Sequence, residues 1–149
     1  MAVEIGKAVP RVVLQTTAGT VVLPELKGKA VIAFYAEDST PTCSAQLTAL
    51  KADHDLLVEL GARLFAISAD SPESHATFAA GLGGLPFELV SDVELAIAKG
   101  FGVVDESGRR SRRAVFVIDD GVVVQALPWF NPANSAQYQQ IFEALGLGM

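Results

Sequence analysis

The 149-residue chain contains a single cysteine, Cys43, so it cannot form an internal disulfide or a Cys-x-x-Cys redox pair. It also lacks any apolar run approaching the roughly 18 to 20 residues that span a bilayer, although 50% of its residues are hydrophobic. The N-terminal stretch has no apolar segment followed by a small-residue cleavage site, the mark of an export signal. We therefore expect a cytoplasmic protein that makes no membrane contact and forms one domain, residues 1–149.

Positive charge is scarce as well, because the chain has 11 Lys and Arg but 17 Asp and Glu, which gives a net charge of −6. Such a chain is poorly suited to a polyanionic backbone, so we expect no nucleic-acid partner. The two histidines, His54 and His75, fall on predicted helices and lack metal-ligand spacing to each other or to Cys43. We expect no metal and no cofactor.

Apolar runs alternate with amphipathic stretches, which is typical of strands feeding helices that cover a sheet. β-Branched runs around Ala18 and Gly19 predict an N-terminal hairpin over residues 11–23. A near-continuous apolar run predicts a central buried strand over 29–36, followed by a helix that ends near Gly61. The remaining predicted elements are a strand over 62–70, a helix from 72 to about 80, an extended segment over 86–92, a short helix within 93–103, a hairpin over 113–128 and a helix over 134–147. This order predicts an α/β, thioredoxin-like fold with a central mixed sheet and an added N-terminal hairpin.

The stretch "EDSTPTCSAQL", residues 37–47, contains Cys43 at the predicted start of the long helix. With Thr40 as N-cap, Pro41 takes the first helical position and Cys43 falls in the first turn. Free backbone N–H groups and the helix dipole favour a thiolate there, and the thiolate is the nucleophilic form. The alternative is a cysteine that packs as a small hydrophobe, with Thr40 serving only as a cap. The residues alone leave the two interpretations evenly balanced.

The spacing of Ala36, Thr40 and Cys43 resembles the P-x-x-x-T-x-x-C active-site pattern of the peroxiredoxins, the AhpC/TSA superfamily. The resemblance extends along nearly the whole chain, in the expected order, through "VIAFYAEDSTPTCSAQL", "AISADSPESHATF", "LVSDVELAIAKGFGV" and "RRAVFVIDDGVVV". Among the branches of that family, the chain looks like the small bacterioferritin-comigratory (PrxQ-like) and AhpE-like forms. Members of these branches are monomers or homodimers, and the resemblance leaves both open.

The resemblance implies peroxide reduction, in which the Cys43 thiolate attacks a hydrogen peroxide or organic hydroperoxide and becomes a sulfenic acid. It implies a hydrogen bond from the Thr40 hydroxyl to the reacting oxygens. The essential arginine of the family matches Arg113, immediately before "AVFVIDD", with Arg112 as the next candidate. Arg109, Arg110 and Arg112 are otherwise interpreted as a solvated basic loop.

Two departures from the family pattern bear on the mechanism. Ala36 stands where the family has a proline that packs on the cysteine, which affects rate and substrate preference. Thr48 stands where the bacterioferritin-comigratory type often has a resolving cysteine. The resemblance therefore implies a one-cysteine form whose sulfenic acid is resolved by an external thiol, either a low-molecular-weight thiol or a thioredoxin- or glutaredoxin-like protein.

Two classes of function follow from these residues. The first is a thiol-dependent peroxidase that uses Cys43, Thr40 and Arg113. The second is a peroxide-sensing or redox-binding domain in which Ala36 leaves Cys43 slow and its oxidised state signals to a partner. A thiol-disulfide exchange protein is a third interpretation, opposed by the absence of a second cysteine.

Overall fold

The computed structural model describes residues 4–16, 19–37, 41–131 and 134–146, and the structural statements below concern these ranges. The side chains of residues 24, 41–43 and 135 lie outside the described part as well. Within it, the architecture is a five-stranded mixed sheet with helices packed on its faces and a separate N-terminal hairpin. The predicted α/β class, with its central mixed sheet and added hairpin, is confirmed.

The hairpin pairs β1 (Val13–Thr16) with β2 (Gly19–Val22) antiparallel, and a 3₁₀ turn, Leu23–Glu25, follows it. The turn predicted at Ala18 and Gly19 falls partly outside the described residues. The strands of the larger sheet are, in chain order, β3 (Lys29–Phe34), β4 (Ala62–Ser68), β5 (Glu88–Ser91), β6 (Ala114–Asp119) and β7 (Val122–Leu127).

Strand β3 lies at the centre of the sheet, whose spatial order is β5-β4-β3-β6-β7. It pairs parallel with β4 and antiparallel with β6, and its residues from Ala30 to Phe34 are fully buried. The near-continuous apolar sequence predicts this burial on both faces. The strand ends at Phe34 rather than at residue 36, because β6 begins opposite Phe34 and the carbonyl of Tyr35 accepts a hydrogen bond from Ser111 Oγ instead.

The described residues form α1 (Pro41–Glu59), α2 (Pro72–Gly81), α3 (Ala96–Phe101) and α4 (Ser135–Ala144). The predicted helix boundaries are observed. Gly61, which follows α1, has a φ of +78°. The hydroxyl of Ser71, the N-cap of α2, accepts the Ser74 N–H at 3.1 Å. In the part of the chain described, no helix combines the length and the apolar character needed to cross a membrane.

Alternation along β6 assigns its side chains to two cores on opposite faces of the sheet. Ala114, Phe116 and Ile118 belong to the core that includes residues of α3 and the hairpin. Val115 and Val117 belong to the core that includes residues of α1 and α4. We call these two sides of the sheet the α3 face and the α1 face.

Candidate active site

The candidate cysteine lies where the chain leaves the centre of the sheet. Strand β3 ends at Phe34 and α1 begins at Pro41, so Cys43 is in the first turn of α1, as the sequence predicts. In open α/β sheets, the crevice at the carboxyl ends of the strands is the usual ligand position. Thr40, the predicted N-cap and hydroxyl donor, lies outside the described residues, as does the side chain of Cys43. Their catalytic roles therefore stay predictions.

Arg113 comes immediately before β6, at the end of the sheet where β3 leads towards α1. Since the antiparallel register pairs Phe34 with Ala114, Arg113 lies beside the exit of β3. Its Nε is buried and has no hydrogen-bond partner among the residues described. Its backbone carbonyl accepts a hydrogen bond from the N–H of Phe130 at 3.0 Å, which holds the backbone in place. A buried donor without a protein partner calls for a functional explanation.

The two candidate arginines belong to opposite faces of the sheet. Val115 lies in the core under α1, so alternation puts Arg113 on the α1 face and Arg112 on the α3 face. Arg112 also has partners of its own, because its Nε donates to the Pro128 carbonyl at 2.6 Å and its guanidinium stacks 4.1 Å from the ring centroid of Trp129. Arg113 and Arg112 thus differ in face and in hydrogen-bond partners, and the assignment of Arg113 as the arginine that faces Cys43 stays a prediction.

Gln46 is a polar residue of this region that the sequence interpretation missed. It is fully buried on α1, three residues after Cys43 and so on a neighbouring part of the same helix face. Its Nε2 donates to the Phe34 carbonyl at 3.4 Å, and its Oε1 is buried without a partner in the described ranges. The available signal was an amide within the apolar stripe of Leu47 and Leu50. Gln46 thus adds a buried acceptor near the end of β3.

Tyr35, the first residue after β3, is fixed at three points. Its N–H donates to the Ile67 carbonyl at 3.0 Å, its carbonyl accepts from Ser111 Oγ at 3.0 Å, and its hydroxyl lies 3.1 Å from His75 Nδ1. His75 Nε2 lies 3.2 Å from the Val90 carbonyl, which can only accept. In the neutral imidazole the proton is therefore assigned to Nε2, and the Tyr35 hydroxyl donates to Nδ1. The sequence predicts His75 on a helix but not its burial, which the network with Tyr35 and Val90 explains.

We expect Tyr35→Phe to lower the free energy of unfolding by about 1 to 3 kcal/mol, because His75 Nδ1 would lose a buried hydrogen-bond donor. Equilibrium urea denaturation measures the change. The chain's other tyrosine is a matched control, since the buried hydroxyl of Tyr138 has no partner among the described residues. Tyr138→Phe should leave stability unchanged or raise it. Equal losses in the two variants would contradict the importance of the Tyr35–His75 bond.

Comparison with known proteins matches residues 5–126 to the AhpC/TSA family. The chloroplastic Peroxiredoxin Q of Populus jackii is 38% identical over 125 residues, which are 82% of this chain and 58% of that longer protein. A putative peroxiredoxin bcp of Coxiella burnetii is 32% identical over 135 residues, covering 85% of this chain and 89% of that protein. A solved structure of Xanthomonas campestris Peroxiredoxin Q superposes with a TM-score of 0.77 at 28% identity, covering 98% of this chain and 96% of its own.

Proposed function

Because the chain belongs to the AhpC/TSA family of thiol-dependent peroxidases, we propose that it reduces hydrogen peroxide or an organic hydroperoxide by a one-cysteine mechanism. Cys43 is the nucleophile, and Thr40 and Arg113 stabilise the reacting oxygens. The full sequence holds no other cysteine that could resolve the oxidised sulfur. The reductant is therefore an external thiol, and the reducing environment that such a thiol needs agrees with the expected cytoplasmic location.

The observation that carries this proposal is the environment of Arg113. Its Nε is buried, and no described residue accepts its hydrogen bond. Alternation from Val115 assigns the side chain to the α1 face. A guanidinium is permanently charged and presents a planar fork of N–H donors. We propose that it faces the first turn of α1, where it would hold Cys43 as the thiolate and orient a hydroperoxide for attack. Gln46 Oε1, a buried acceptor without a partner in the described residues, suits the hydroperoxide O–H or the guanidinium itself.

In the proposed oxidation, the thiolate sulfur attacks the terminal oxygen of ROOH along the O–O axis. A sulfur–oxygen bond forms and the oxygen–oxygen bond breaks, so the sulfur is oxidised to a sulfenic acid and the peroxide is reduced. The departing RO⁻ takes up a proton and leaves as an alcohol, or as water when the substrate is hydrogen peroxide. Donors aimed at the oxygens where negative charge develops lower this barrier, which is the role assigned to Arg113 and Thr40.

Regeneration requires two equivalents of an external thiol. The first condenses with the sulfenic acid to a mixed disulfide and releases water. The second attacks that disulfide, expels the Cys43 thiolate and leaves as the oxidised disulfide of the reductant. A low-molecular-weight thiol or a thioredoxin- or glutaredoxin-like protein can supply both steps.

Stopped-flow oxidation by hydrogen peroxide tests the proposal. We expect Cys43 to react at least about 100-fold faster than free cysteine at the same pH, because preorganised donors of this kind contribute about 10² to 10³ in rate. Intact mass after one equivalent of peroxide should show the addition of one oxygen atom, and a candidate thiol should replace it by a mixed disulfide or by the reduced protein. Cys43→Ser is the control for both measurements. A rate no higher than that of free cysteine would reject the peroxidase and leave the slow peroxide sensor.

A further inference from the structure

The basic loop over residues 105–111 is a closed turn with its own hydrogen bonds. Val104 and Ser111 form an isolated antiparallel bridge, and the Asp105 N–H donates to the Arg110 carbonyl at 2.8 Å. Within the turn, the Asp105 carboxylate accepts from both the N–H and the hydroxyl of Ser107, at 2.9 and 2.6 Å. These hydrogen bonds fix the conformation of the loop, so that its side chains can make defined contacts with distant segments.

Two such contacts reach the segment that leaves β3. Ser111 Oγ donates to the Tyr35 carbonyl at 3.0 Å, and Arg110 Nη1 donates to Glu37 Oε1 at 2.8 Å. The side chains of Arg110 and Glu37 are 40% and 43% exposed, so this ion pair borders solvent. Arg110 is thus a partly exposed charge, as interpreted from the sequence, but one with a specific partner in Glu37. The contacts lie on either side of Ala36.

These contacts matter for the backbone because they lie beside Ala36. A proline ring would fix φ near −65° at this point, whereas alanine leaves that dihedral free to vary. The next residues, 38–40, lead to Pro41 and the first turn of α1. The hydrogen bonds to Tyr35 and Glu37 therefore restrain the backbone on both sides of residue 36, which alanine itself does not restrain.

We propose that Arg110 is a positioning residue for the peroxidase chemistry, acting through its ion pair with Glu37 on the segment that leads to Cys43. The inference rests on the proposed function, because it concerns the placement of the same cysteine. Arg110 lies three residues before Arg113 in a loop with a defined shape. The ion pair thus joins the loop that precedes Arg113 to the segment that precedes Cys43.

Four variants test the pair: Arg110→Ala, Glu37→Ala, their double mutant and the charge exchange Glu37→Arg with Arg110→Glu. Each single replacement should lower the rate of Cys43 oxidation about two- to fivefold, the range that an exposed ion pair supports. The double mutant should lose no more than either single mutant, because both remove the same interaction. The exchange should restore part of the rate, but not all, because Asp105 Oδ2 lies 3.9 Å from Arg110 Nε and would repel a carboxylate there.

Arg109→Ala is the matched control, since Arg109 is an exposed arginine of the same loop. It should leave the rate unchanged. High salt should reduce the difference between the wild type and Arg110→Ala, because exposed charges are screened. In an Ala36→Pro background, Arg110→Ala should lower the oxidation rate less, because the proline ring supplies the backbone restraint that alanine lacks.

Hydrogen–deuterium exchange of a peptide spanning residues 36–43 keeps this inference separate from the proposed function. Faster exchange in Arg110→Ala, restored by the charge exchange, supports the restraint even where peroxide reacts slowly. If the wild type shows this exchange pattern but reacts slowly with peroxide, the proposed peroxidase function is rejected and the restraint by Arg110 is retained. Unchanged rate and exchange in Arg110→Ala, or no recovery in the charge exchange, would overturn the positioning role.

Discussion

Replacing Arg113 by alanine is expected to slow the oxidation of Cys43 by hydrogen peroxide about 100- to 1,000-fold, the usual loss when one preorganised donor to a developing negative charge is removed. The guanidinium Nε is buried and has no partner among the described residues, which is the observation behind its proposed role as a donor to the substrate. Stopped-flow measurement at several peroxide concentrations gives the second-order rate constant. Arg113→Lys keeps the charge but loses the planar fork and should fall between the wild type and the alanine variant.

Arg112→Ala is the matched control for this prediction. Arg112 is the neighbouring arginine, but it belongs to the opposite face of the sheet and is bonded to the Pro128 carbonyl and stacked on Trp129. Its removal should change the oxidation rate less than about threefold, as expected for a charge outside the site. A large loss in Arg112→Ala together with a wild-type rate in Arg113→Ala would transfer the catalytic role to Arg112.

Replacing Thr40 by valine is expected to lower the oxidation rate about 100-fold, because the variant keeps the shape of the side chain but removes the hydroxyl donor. Thr40→Ser retains the hydroxyl and should stay within about fivefold of the wild type, since serine is also a good N-cap. The prediction rests on the sequence and on the start of α1 at Pro41, because Thr40 itself lies outside the described residues.

The cap and the catalytic role of Thr40 can be separated by measuring stability as well as rate. Loss of an N-cap costs about 1 kcal/mol of unfolding free energy, which urea denaturation detects. Thr48→Val, at an exposed position of the same helix, controls for the chemistry of the replacement and should leave the rate unchanged. A stability loss in Thr40→Val with an unchanged rate would leave Thr40 as a cap only.

Local sequence signals predicted much of the fold. The apolar run of β3, the Ser71 cap of α2 and the glycine after α1 all act between residues close in the chain, and each is observed. The position of Cys43 in the first turn of its helix follows from the same kind of signal, through Pro41. Its assignment as a peroxidatic cysteine came from the family resemblance, because the residues around Cys43 alone did not distinguish a nucleophile from a buried cysteine.

The long-range contacts of the site could not be predicted in this way. Tyr35 with His75, and Glu37 with Arg110, are 40 and 73 residues apart in the chain and meet only because of the strand register. The choice between Arg112 and Arg113 likewise depends on the face of the sheet, which changes with every residue along β6. Gln46 resembled any other polar residue on a helix until its burial was known.

The order in which the sheet is assembled also has a consequence for when the protein becomes reactive. Strand β3 pairs with β4 nearby in the chain, but its other neighbour, β6, lies more than 70 residues away and brings Arg113 with it. Contacts of such long separation require closure of a large loop and tend to form late. An intermediate that contains β3, α1 and β4 would carry Cys43 without its arginine. If Arg113 has the proposed role, we expect rapid reaction with peroxide only from the fully folded chain and a slow reaction of Cys43 on an unfinished chain.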